Sequence, residues 1–238
     1  MRQFKVLDMP VHIHSDYSAW LSERLRQGLG THVVTLNAEM TMQAQQNLAL
    51  AEIIQQAEMV VPDGSGIVLY LRSQGEKIKR CPGIELSEGI VQVAAESQAQ
   101  IFLIGGAPGV VDRVVENWRQ RWTNIAIAGQ YNGYFDAAIE QEICDRLQQT
   151  QPNLILVGLG VPRQELWINQ HRHLCPKALW IGVGGSFDVW SGIKSRAPKW
   201  IGDNHLEWLY RLYQEPWRWK RMLSLPRFVW TVTKDSWR

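Results

Sequence analysis

The stretch QIFLIGGAPGVVDRVVENWRQRW, residues 100–122, contains the signals of a strand, a turn and a helix in succession. Its first part, residues 100–106, is an apolar run of strand length that ends in two glycines. The part that follows carries apolar side chains at helical spacing, namely Val111, Val114, Val115 and Trp118. The stretch therefore predicts a buried strand that turns directly into a helix packed on the same sheet.

Similar apolar runs recur along the chain, separated by segments with helical patterns. They are rich in Val, Ile and Leu, and they are THVVTLN (31–37), AEMVVPD (57–63), NIAIAGQ (124–130), NLILVGLG (153–160) and ALWIGVGG (178–185). Alternation of buried strands with helices predicts an α/β protein with an open, mostly parallel, Rossmann-like sheet and helices on both faces.

Composition limits the number of domains and the cellular compartment. The chain has 238 residues, 45% of them hydrophobic and 20% charged, which suits one large α/β domain with or without an appendage. Its three cysteines form no CxxC pair, which favours a reducing compartment. The first residues lack the apolar core of a secretory signal, and no stretch approaches the ~20 apolar residues of a membrane span. We therefore expect a cytoplasmic protein whose membrane contact is peripheral.

The last part of the chain differs from the rest in charge and in aromatic content. Residues 196–238 hold nine Lys/Arg and four Asp/Glu, a net charge of +5, whereas residues 1–195 carry −3. The same tail holds six of the 12 tryptophans. This break predicts an α/β core over 1–195 and a basic, Trp-rich, helical appendage over 196–238. The tryptophans and cations suit an anionic membrane surface, the alternative being ordinary core or oligomer contacts.

Glycines follow several of the predicted strands, where ligands bind in parallel sheets. They include Gly105, Gly106, Gly160 and Gly185. Glycine lets a backbone approach a ligand, and the N–H groups at the start of a following helix favour anions. Each glycine alone can simply close a strand–helix turn. Several at one sheet edge favour a phosphate-bearing ligand.

Common phosphate-binding and metal-binding signatures are missing from the sequence. It contains no G-x-G-x-x-G followed by a spaced acid, no Walker P-loop and no Asp-x-Asp. The histidine pairs His12/His14 and His171/His173 are interpreted as structural. We expect no metal, no cofactor and no nucleic-acid partner.

Asp63 stands in VVPDGSGIVLY, residues 60–70, directly after an apolar run. From spacing alone it is equally well explained as the N-cap of the next helix or as an acid–base group. Thr35 and Asn37 end the neighbouring strand and, being two apart, point to one face. They can hydrogen-bond a polar ligand, although Asn37 can also cap a turn.

Taken together, these strand ends resemble the WecG/TagA/CpsF glycosyltransferases, glycosyltransferase family 26, over roughly residues 30–225. The matching stretches are TLNAEM (35–40), VPDGSGIV (61–68), FLIGGAPGV (102–110), NGYF (132–135), GVPRQELW (160–167), GVGGSFDVWSG (182–192), RAPKW (196–200) and LEWLYRLYQEPWRWKR (206–221). One departure is Glu85, where the family more often has Asp, and Glu85 is assigned no role.

The resemblance implies an inverting transfer of a hexosamine from a UDP-sugar to a polyprenyl-pyrophosphate-linked sugar. In the best-known members the donor is UDP-N-acetylmannosamine and the acceptor carries N-acetylglucosamine, in the synthesis of cell-surface polymers. Since the acceptor is a membrane lipid, the implied location is the inner face of the cell membrane.

The resemblance also implies roles for residues. Asp63 becomes the base, with Thr35 and Asn37 positioning sugar groups and Gln164 in the active site rather than on a helix surface. For the nucleotide, Tyr134 would stack on uracil, with core packing as its alternative. Asp188 would accept from ribose hydroxyls, with helix capping as its alternative.

Cations for the leaving pyrophosphate are expected from the tail, with Arg163 as a further possibility. The tail offers Arg211 on one predicted helix and Arg218 and Arg221, three apart and co-facial, on the next. The alternative is a solvated basic face.

A second functional hypothesis is a non-catalytic, membrane-docked module that binds a sugar nucleotide or a lipid head group. Such a module has no need of a base, so the joint presence of Asp63, Asn37 and Gln164 favours the enzyme. The sequence leaves the sugar identities open, and also whether the chain forms a homo-oligomer.

Overall fold

The computed structural model describes residues 1–198, 207–214, 216, 219 and 223–235. Its strands are β1 (Arg2–Val6), β2 (Met9–Ile13), β3 (Thr31–Leu36), β4 (Met59–Pro62), β5 (Ile101–Gly105), β6 (Ile127–Tyr131), β7 (Leu154–Gly158) and β8 (Leu179–Gly182). Its α-helices are α1 (Tyr17–Gln27), α2 (Ala38–Ala44), α3 (Leu48–Gln56), α4 (Ser65–Ser73), α5 (Gly83–Glu96), α6 (Val110–Arg121), α7 (Ala137–Thr150), α8 (Arg163–His171), α9 (Ser186–Trp190), α10 (Glu207–Gln214) and α11 (Ser224–Asp235).

The main sheet has six strands in the order β4-β3-β8-β7-β5-β6, and every neighbouring pair is parallel. The chain runs outward from β3 to the edge strand β4, crosses to β5 and β6 at the other edge, and then fills the middle with β7 and β8. All six predicted apolar runs are strands of this sheet, so the predicted fold class is confirmed.

Helices cover both faces of the sheet because successive strand residues point to opposite sides. On β3, Val33 and Val34 are both fully buried, yet Val33 packs in a cluster with α1, α5 and α6 while Val34 packs with α2, α3 and α4. A third cluster joins α7 and α8 to Ile155 and Trp180. Burial on both faces explains why the strands are continuous apolar runs.

The turn between β5 and α6 follows the prediction from residues 100–122. Gly105 and Gly106 have φ of 141° and 69°, values that favour glycine. A Cβ on Gly105 would also lie 2.4 Å from the carbonyl oxygen of Gly158. The predicted apolar face of α6 is buried in the core. The glycines therefore allow β5 and β7 to end side by side.

A hairpin of β1 and β2, which sequence reasoning did not predict, lies beside the edge strand β4. The two strands are antiparallel, and the Nδ1 of His12 accepts a hydrogen bond from the backbone N–H of Val60 at 2.9 Å. The hydroxyl of Tyr17 donates to the His12 carbonyl at 2.8 Å. One outward N–H group of the edge strand is thus paired with an imidazole.

The described part of the predicted appendage contains α10 and α11. Phe228 and Val232 of α11 are 1% and 5% exposed and join the core cluster of α2, α3 and α4. Trp230 is 74% exposed. Among the described helices, none combines the length and the apolar character needed to cross a bilayer. The domain boundary at residue 195 stays a prediction, although α11 shares a core with residues before it.

Candidate active site

A polar cavity of about 220 Å³ lies at the carboxyl ends of β3, β4 and β8. Its wall also includes the segment after α9 and two side chains of α10. Seven of the residues predicted from sequence line this cavity, namely Thr35, Asn37, Asp63, Gly160, Gln164, Gly185 and Asp188. The parallel topology brings them together because each lies at the end of a strand, or in the turn or first helical turn after one, and these strand ends meet at this edge.

Asp63 directly follows β4 and is held by backbone groups. Its N–H donates to the Leu36 carbonyl at 3.0 Å, and its Oδ1 accepts from the N–H of Gly83, the first residue of α5, at 2.9 Å. The helix α4 begins after Gly64 without a side-chain cap, so the interpretation of Asp63 as its N-cap is wrong. The carboxylate instead lies at the N-terminus of α5, where a negative charge is favoured.

Arg80 fixes the other side of the Asp63 turn. Its Nε donates to the Asp63 carbonyl at 2.6 Å, and one terminal nitrogen lies 3.9 Å from Oδ1. Cys81 follows it, and burial, together with the nearby carboxylates of Asp63 and Glu85, raises the pKa of this thiol to about 12. Cys81 is therefore a neutral thiol and not a nucleophile.

Asn37 is the N-cap of α2 and also lines the cavity. Its Oδ1 accepts from the Met40 N–H at 3.0 Å, so both the capping and the cavity interpretations hold. Because the cap needs the oxygen, the amide NH₂ group is the part left to donate to a ligand. A Cβ on Gly64 would lie 2.7 Å from the Asn37 Cβ, so only glycine lets Asp63 and Asn37 lie this close.

Thr35 connects β3 to β8 and borders the start of α5. Its Oγ1 lies 3.4 Å from the Gly182 carbonyl oxygen, which makes a long hydrogen bond. A Cβ on Gly83 would lie 2.7 Å from the Thr35 Cγ2. The cavity floor is thus built by close approaches at which one partner is glycine.

Gln164 is 2% exposed, so its interpretation as a polar residue on a helix surface is wrong. Its Oε1 accepts from the Gly184 N–H at 3.1 Å, and its Nε2 donates to Glu165 Oε1 at 2.9 Å. The residue lies in the first turn of α8, two positions after the N-cap residue Pro162. Gln164 thereby connects α8 to the turn that follows β8.

Asp188 lies in the first turn of α9, which begins after Gly185 without a side-chain cap. Its Oδ2 lies 2.5 Å from the Nζ of Lys194, and its backbone carbonyl accepts from the Lys194 N–H at 2.9 Å. The capping alternative for Asp188 is therefore wrong. Its carboxylate instead forms an ion pair at the cavity wall.

Three cations of the cavity wall were not expected at this site, namely Arg80, Lys194 and Arg196. Arg196 also pairs with Glu85. They lie in irregular segments, where no periodicity indicates the direction of a side chain. Arg163, given above as a further possibility, instead donates to the Gly133 carbonyl at 2.8 Å and lies over the Phe135 ring.

Three predicted nucleotide-binding residues lie outside the cavity lining, at the ends of β5 and β6. Gly106 donates to the Gly158 carbonyl at 3.2 Å, and Gly133 donates to Gly106 at 2.8 Å. Tyr134 is 77% exposed, so the alternative of core packing is wrong. The binding roles of Tyr134, Gly105 and Gly106 stay predictions.

The tail approaches the cavity through α10. The Tyr210 hydroxyl lies 3.0 Å from Ser195 Oγ, and Gln214 Nε2 donates to the same Oγ at 2.7 Å. Both side chains line the cavity. The side chain of Arg211, and the whole of Arg218 and Arg221, lie outside the described residues, so their catalytic roles stay predictions.

The candidate metal ligands in the described part of the chain form no group of three or more His, Cys, Asp or Glu. His171 Nδ1 contacts the Trp167 carbonyl at 2.9 Å, and His12 bonds Val60. The expectation of a metal-free site remains a prediction, to be tested with chelator.

An open parallel sheet with a carboxylate, amides and cations at its strand ends is the arrangement in which α/β proteins bind polar, phosphate-bearing ligands. Residues 4–238 match the model of the "Glycosyl transferase WecG/TagA/CpsF family". The chain belongs to this family of glycosyltransferases.

Two curated relatives carry the same name, N-acetylglucosaminyldiphosphoundecaprenol N-acetyl-beta-D-mannosaminyltransferase. The chain is similar to the one from Bacillus spizizenii (strain W23), at 36% identity over 213 residues, 89% of this chain and 82% of the relative. It is similar to the one from Bacillus subtilis (strain 168), at 37% identity over 212 residues, 88% of this chain and 82% of the relative.

Proposed function

We propose that this protein transfers N-acetylmannosamine from UDP-N-acetylmannosamine to a polyprenyl-pyrophosphate-linked N-acetylglucosamine, with inversion at the anomeric carbon. The names of the relatives support the two sugars and the lipid carrier. The single observation that carries the proposal is the cavity in which Asp63, Asn37, Thr35 and Gln164 come together.

Asp63 is the general base of this proposal. A single inverting displacement needs a group that takes the proton of the acceptor hydroxyl as the new glycosidic bond forms. Asp63 lines the cavity, its side chain is 24% exposed, and the Gly83 N–H bond fixes the direction of the carboxylate. Bond formation, proton transfer to Asp63 and departure of UDP then balance the reaction without a further reactant.

Cations and amides around Asp63 serve the other requirements of the displacement. Arg80, Lys194 and Arg196 supply positive charge that offsets the charge developing on the leaving pyrophosphate. The NH₂ group of Asn37 and the Thr35 hydroxyl are placed to hold sugar hydroxyls or the acetamido group. Lys194 holds the Asp188 carboxylate at the cavity wall, and in this proposal that carboxylate accepts from the ribose hydroxyls.

Peripheral binding to the inner face of the membrane completes the proposal, because a polyprenyl acceptor is confined to the bilayer. Exposed aromatic side chains cluster in the tail, with Trp208, Tyr213, Trp219 and Trp230 each more than a third exposed. Tryptophan favours the headgroup region, and each nearby Lys or Arg adds about 1 kcal/mol at an anionic leaflet. The tail that lines the cavity is thus also suited to reach the lipid.

The test is a panel of UDP-sugars offered with a water-soluble, short-chain polyprenyl-pyrophosphate N-acetylglucosamine, in which released UDP and the product anomer are measured. We expect turnover with UDP-N-acetylmannosamine, an inverted anomer, and activity that persists in excess chelator. Activity lost on chelation and restored by Mg²⁺ or Mn²⁺ would show that the reaction depends on a metal. UDP binding without turnover of any donor would contradict the transferase and favour a binding module.

A further inference from the structure

A chain of buried hydrogen bonds runs from the sheet interior to the cavity. His32 Nε2 lies 2.7 Å from Glu165 Oε2, and Glu165 Oε1 accepts from Gln164 Nε2 at 2.9 Å. Gln164 Oε1 in turn accepts from the Gly184 N–H at 3.1 Å. Of these residues, Gln164 and Gly184 line the cavity, whereas His32 on β3 and Glu165 on α8 lie behind it.

The His32–Glu165 pair is almost entirely removed from solvent, with side chains 1% and 0% exposed. A buried pair of ionisable side chains is weak evidence for stability, because the loss of hydration offsets much of the attraction and apolar residues of similar volume often do as well. Such a pair does fix one geometry, since breaking any bond of the network leaves a polar group without a partner. Its place behind the cavity therefore indicates a role in orientation.

The network leaves the Gln164 side-chain amide with one orientation. Glu165 accepts and so requires the NH₂ end, while the Gly184 N–H donates and so requires the oxygen. The backbone of β8 is shaped to admit this arrangement, because a Cβ on Gly182 would lie 2.5 Å from both Gln164 Nε2 and Glu165 Oε1. Helix α8 and the end of β8 with its following turn thus meet at one amide.

We propose that Glu165 and His32 are positioning residues for the transferase reaction, which hold the Gln164 amide and the Gly184 turn in the geometry that the donor sugar requires. The inference rests on the proposed function of the cavity. A shift of ~1 Å in a group that positions a substrate can lower the rate on the order of 10²-fold. Loss of the network should therefore lower kcat more than it raises KM for the UDP-sugar.

The decisive variant is the double substitution His32→Leu/Glu165→Leu, which removes both members of the buried pair together and frees the Gln164 NH₂ group from its acceptor. Because apolar residues can replace a buried pair without loss of stability, we expect a folded protein whose kcat is lower on the order of 10²-fold. The single variant Glu165→Gln keeps an acceptor for Gln164 and a donor for His32, so it should keep most of the wild-type kcat. A folded double variant with wild-type kcat would overturn the proposal.

A matched control comes from the same helix. His171 is also buried, stacks on Trp167 and lies at the far end of α8, outside the network. His171→Leu should leave kcat unchanged, whereas His32→Leu should lower it. An equal loss of kcat in both variants would indicate a general disturbance of α8 and overturn the specific role.

Hydrogen exchange at Gly184 separates failure of this inference from failure of the proposed function, because it needs no substrate. In the wild-type protein the Gly184 N–H should be protected by Gln164, and in the double variant it should exchange faster. Unchanged protection would overturn the inference even in an active enzyme. Absence of turnover in the wild-type protein would overturn the proposed function and leave the exchange result standing.

Discussion

Asp63 can be tested by a substitution that keeps its hydrogen bond. The Oδ1 of an asparagine can accept from the Gly83 N–H as the carboxylate does, so Asp63→Asn should fold and bind UDP normally. It cannot take a proton, and turnover should fall by ~10²–10⁴, the usual contribution of a general base. Steady-state UDP release and calorimetric UDP binding are the measurements.

Asp136→Asn is the matched control for that experiment. Asp136 caps α7 by accepting from the Ile139 N–H at 3.0 Å, and asparagine caps equally well. Its turnover should equal that of the wild-type protein. If Asp63→Asn keeps near-normal turnover, the base is another group, and Glu39 is the next carboxylate of the cavity wall.

Gly64 sets the distance between the two loops that carry Asn37 and Asp63. In Gly64→Ala the new Cβ would lie 2.7 Å from the Asn37 Cβ, so one loop must move. Overpacking of this kind costs about 1–3 kcal/mol of unfolding free energy, and the shift should also lower kcat. Gly89→Ala on α5, where a Cβ meets nothing closer than 3.5 Å, should be neutral or stabilising by comparison. A Gly64→Ala protein with wild-type kcat and stability would show that the loops adapt.

How much of this site could be predicted from sequence depends on where each residue lies in the chain. Thr35 lies near the end of β3, Asn37 and Asp63 directly follow β3 and β4, and topology alone brings strand ends to one edge. Arg80 and Lys194 lie in irregular segments, so no pattern gave the direction of their side chains. The role of Gln164 was predicted from the family resemblance, whereas its burial against Glu165 depends on packing that spacing does not reveal.

The hairpin β1–β2 gives the edge strand β4 a pH-sensitive neighbour. Burial lowers the pKa of His12 from its ordinary value of 6.5, and its Nδ1 must stay unprotonated to accept from Val60. At a pH between the native and the unfolded pKa, the His12 side chain is therefore protonated in the unfolded chain and unprotonated in the native protein. The contribution of His12 to the free energy of unfolding is fully present above pH 6.5. It is lost as the pH falls from there through the lower native pKa.

Denaturant unfolding at a series of pH values checks this expectation. The free energy of unfolding should decline as the pH falls below 6.5. In His12→Asn, where the side-chain oxygen replaces Nδ1 as acceptor and does not titrate, the decline should be smaller. The same slope in both proteins would assign the pH dependence to other groups.

Five of the six strands of the main sheet were predictable because both of their faces are buried, which makes each of them an apolar run, whereas the edge strand β6 is only half-buried. The β1–β2 hairpin was not predictable from sequence, since β1 is mostly exposed and its sequence, RQFKV, carries charges. The start of β6 was placed at residue 124 but lies at Ile127, after a turn that contains the buried Ile125. A buried apolar residue in a turn lengthens the apolar run in the sequence, so the strand is predicted to begin too early.

The two faces of α11 predict two different phenotypes. Phe228 is 1% exposed within the main core, so Phe228→Ala should lower the free energy of unfolding by about 3–5 kcal/mol. Trp230 is 74% exposed, so Trp230→Ala should leave stability nearly unchanged and weaken sedimentation with anionic vesicles. Urea unfolding and vesicle cosedimentation measure the two effects.

Thr231→Ala provides a control on the same helix, because its Oγ1 bonds only to the Arg227 carbonyl among the contacts described. It should change neither readout appreciably. Equal vesicle binding by Trp230→Ala and the wild-type protein would mean that this face of α11 does not meet the membrane.

The strand order has a consequence for how the protein is made. The central strands β7 and β8 are the last of the sheet to leave the ribosome, and β8 must insert beside β3, whose Thr31 pairs with Leu179. Until β8 has emerged, no strand connects the β3–β4 pair to the β5–β6 pair. Contacts between strands so far apart in the sequence form late and slowly. A nascent chain therefore exposes apolar strand edges for most of its synthesis, and it can bind no substrate before nearly all of it has emerged. Chaperone dependence during translation should accordingly exceed what the stability of the finished protein would suggest.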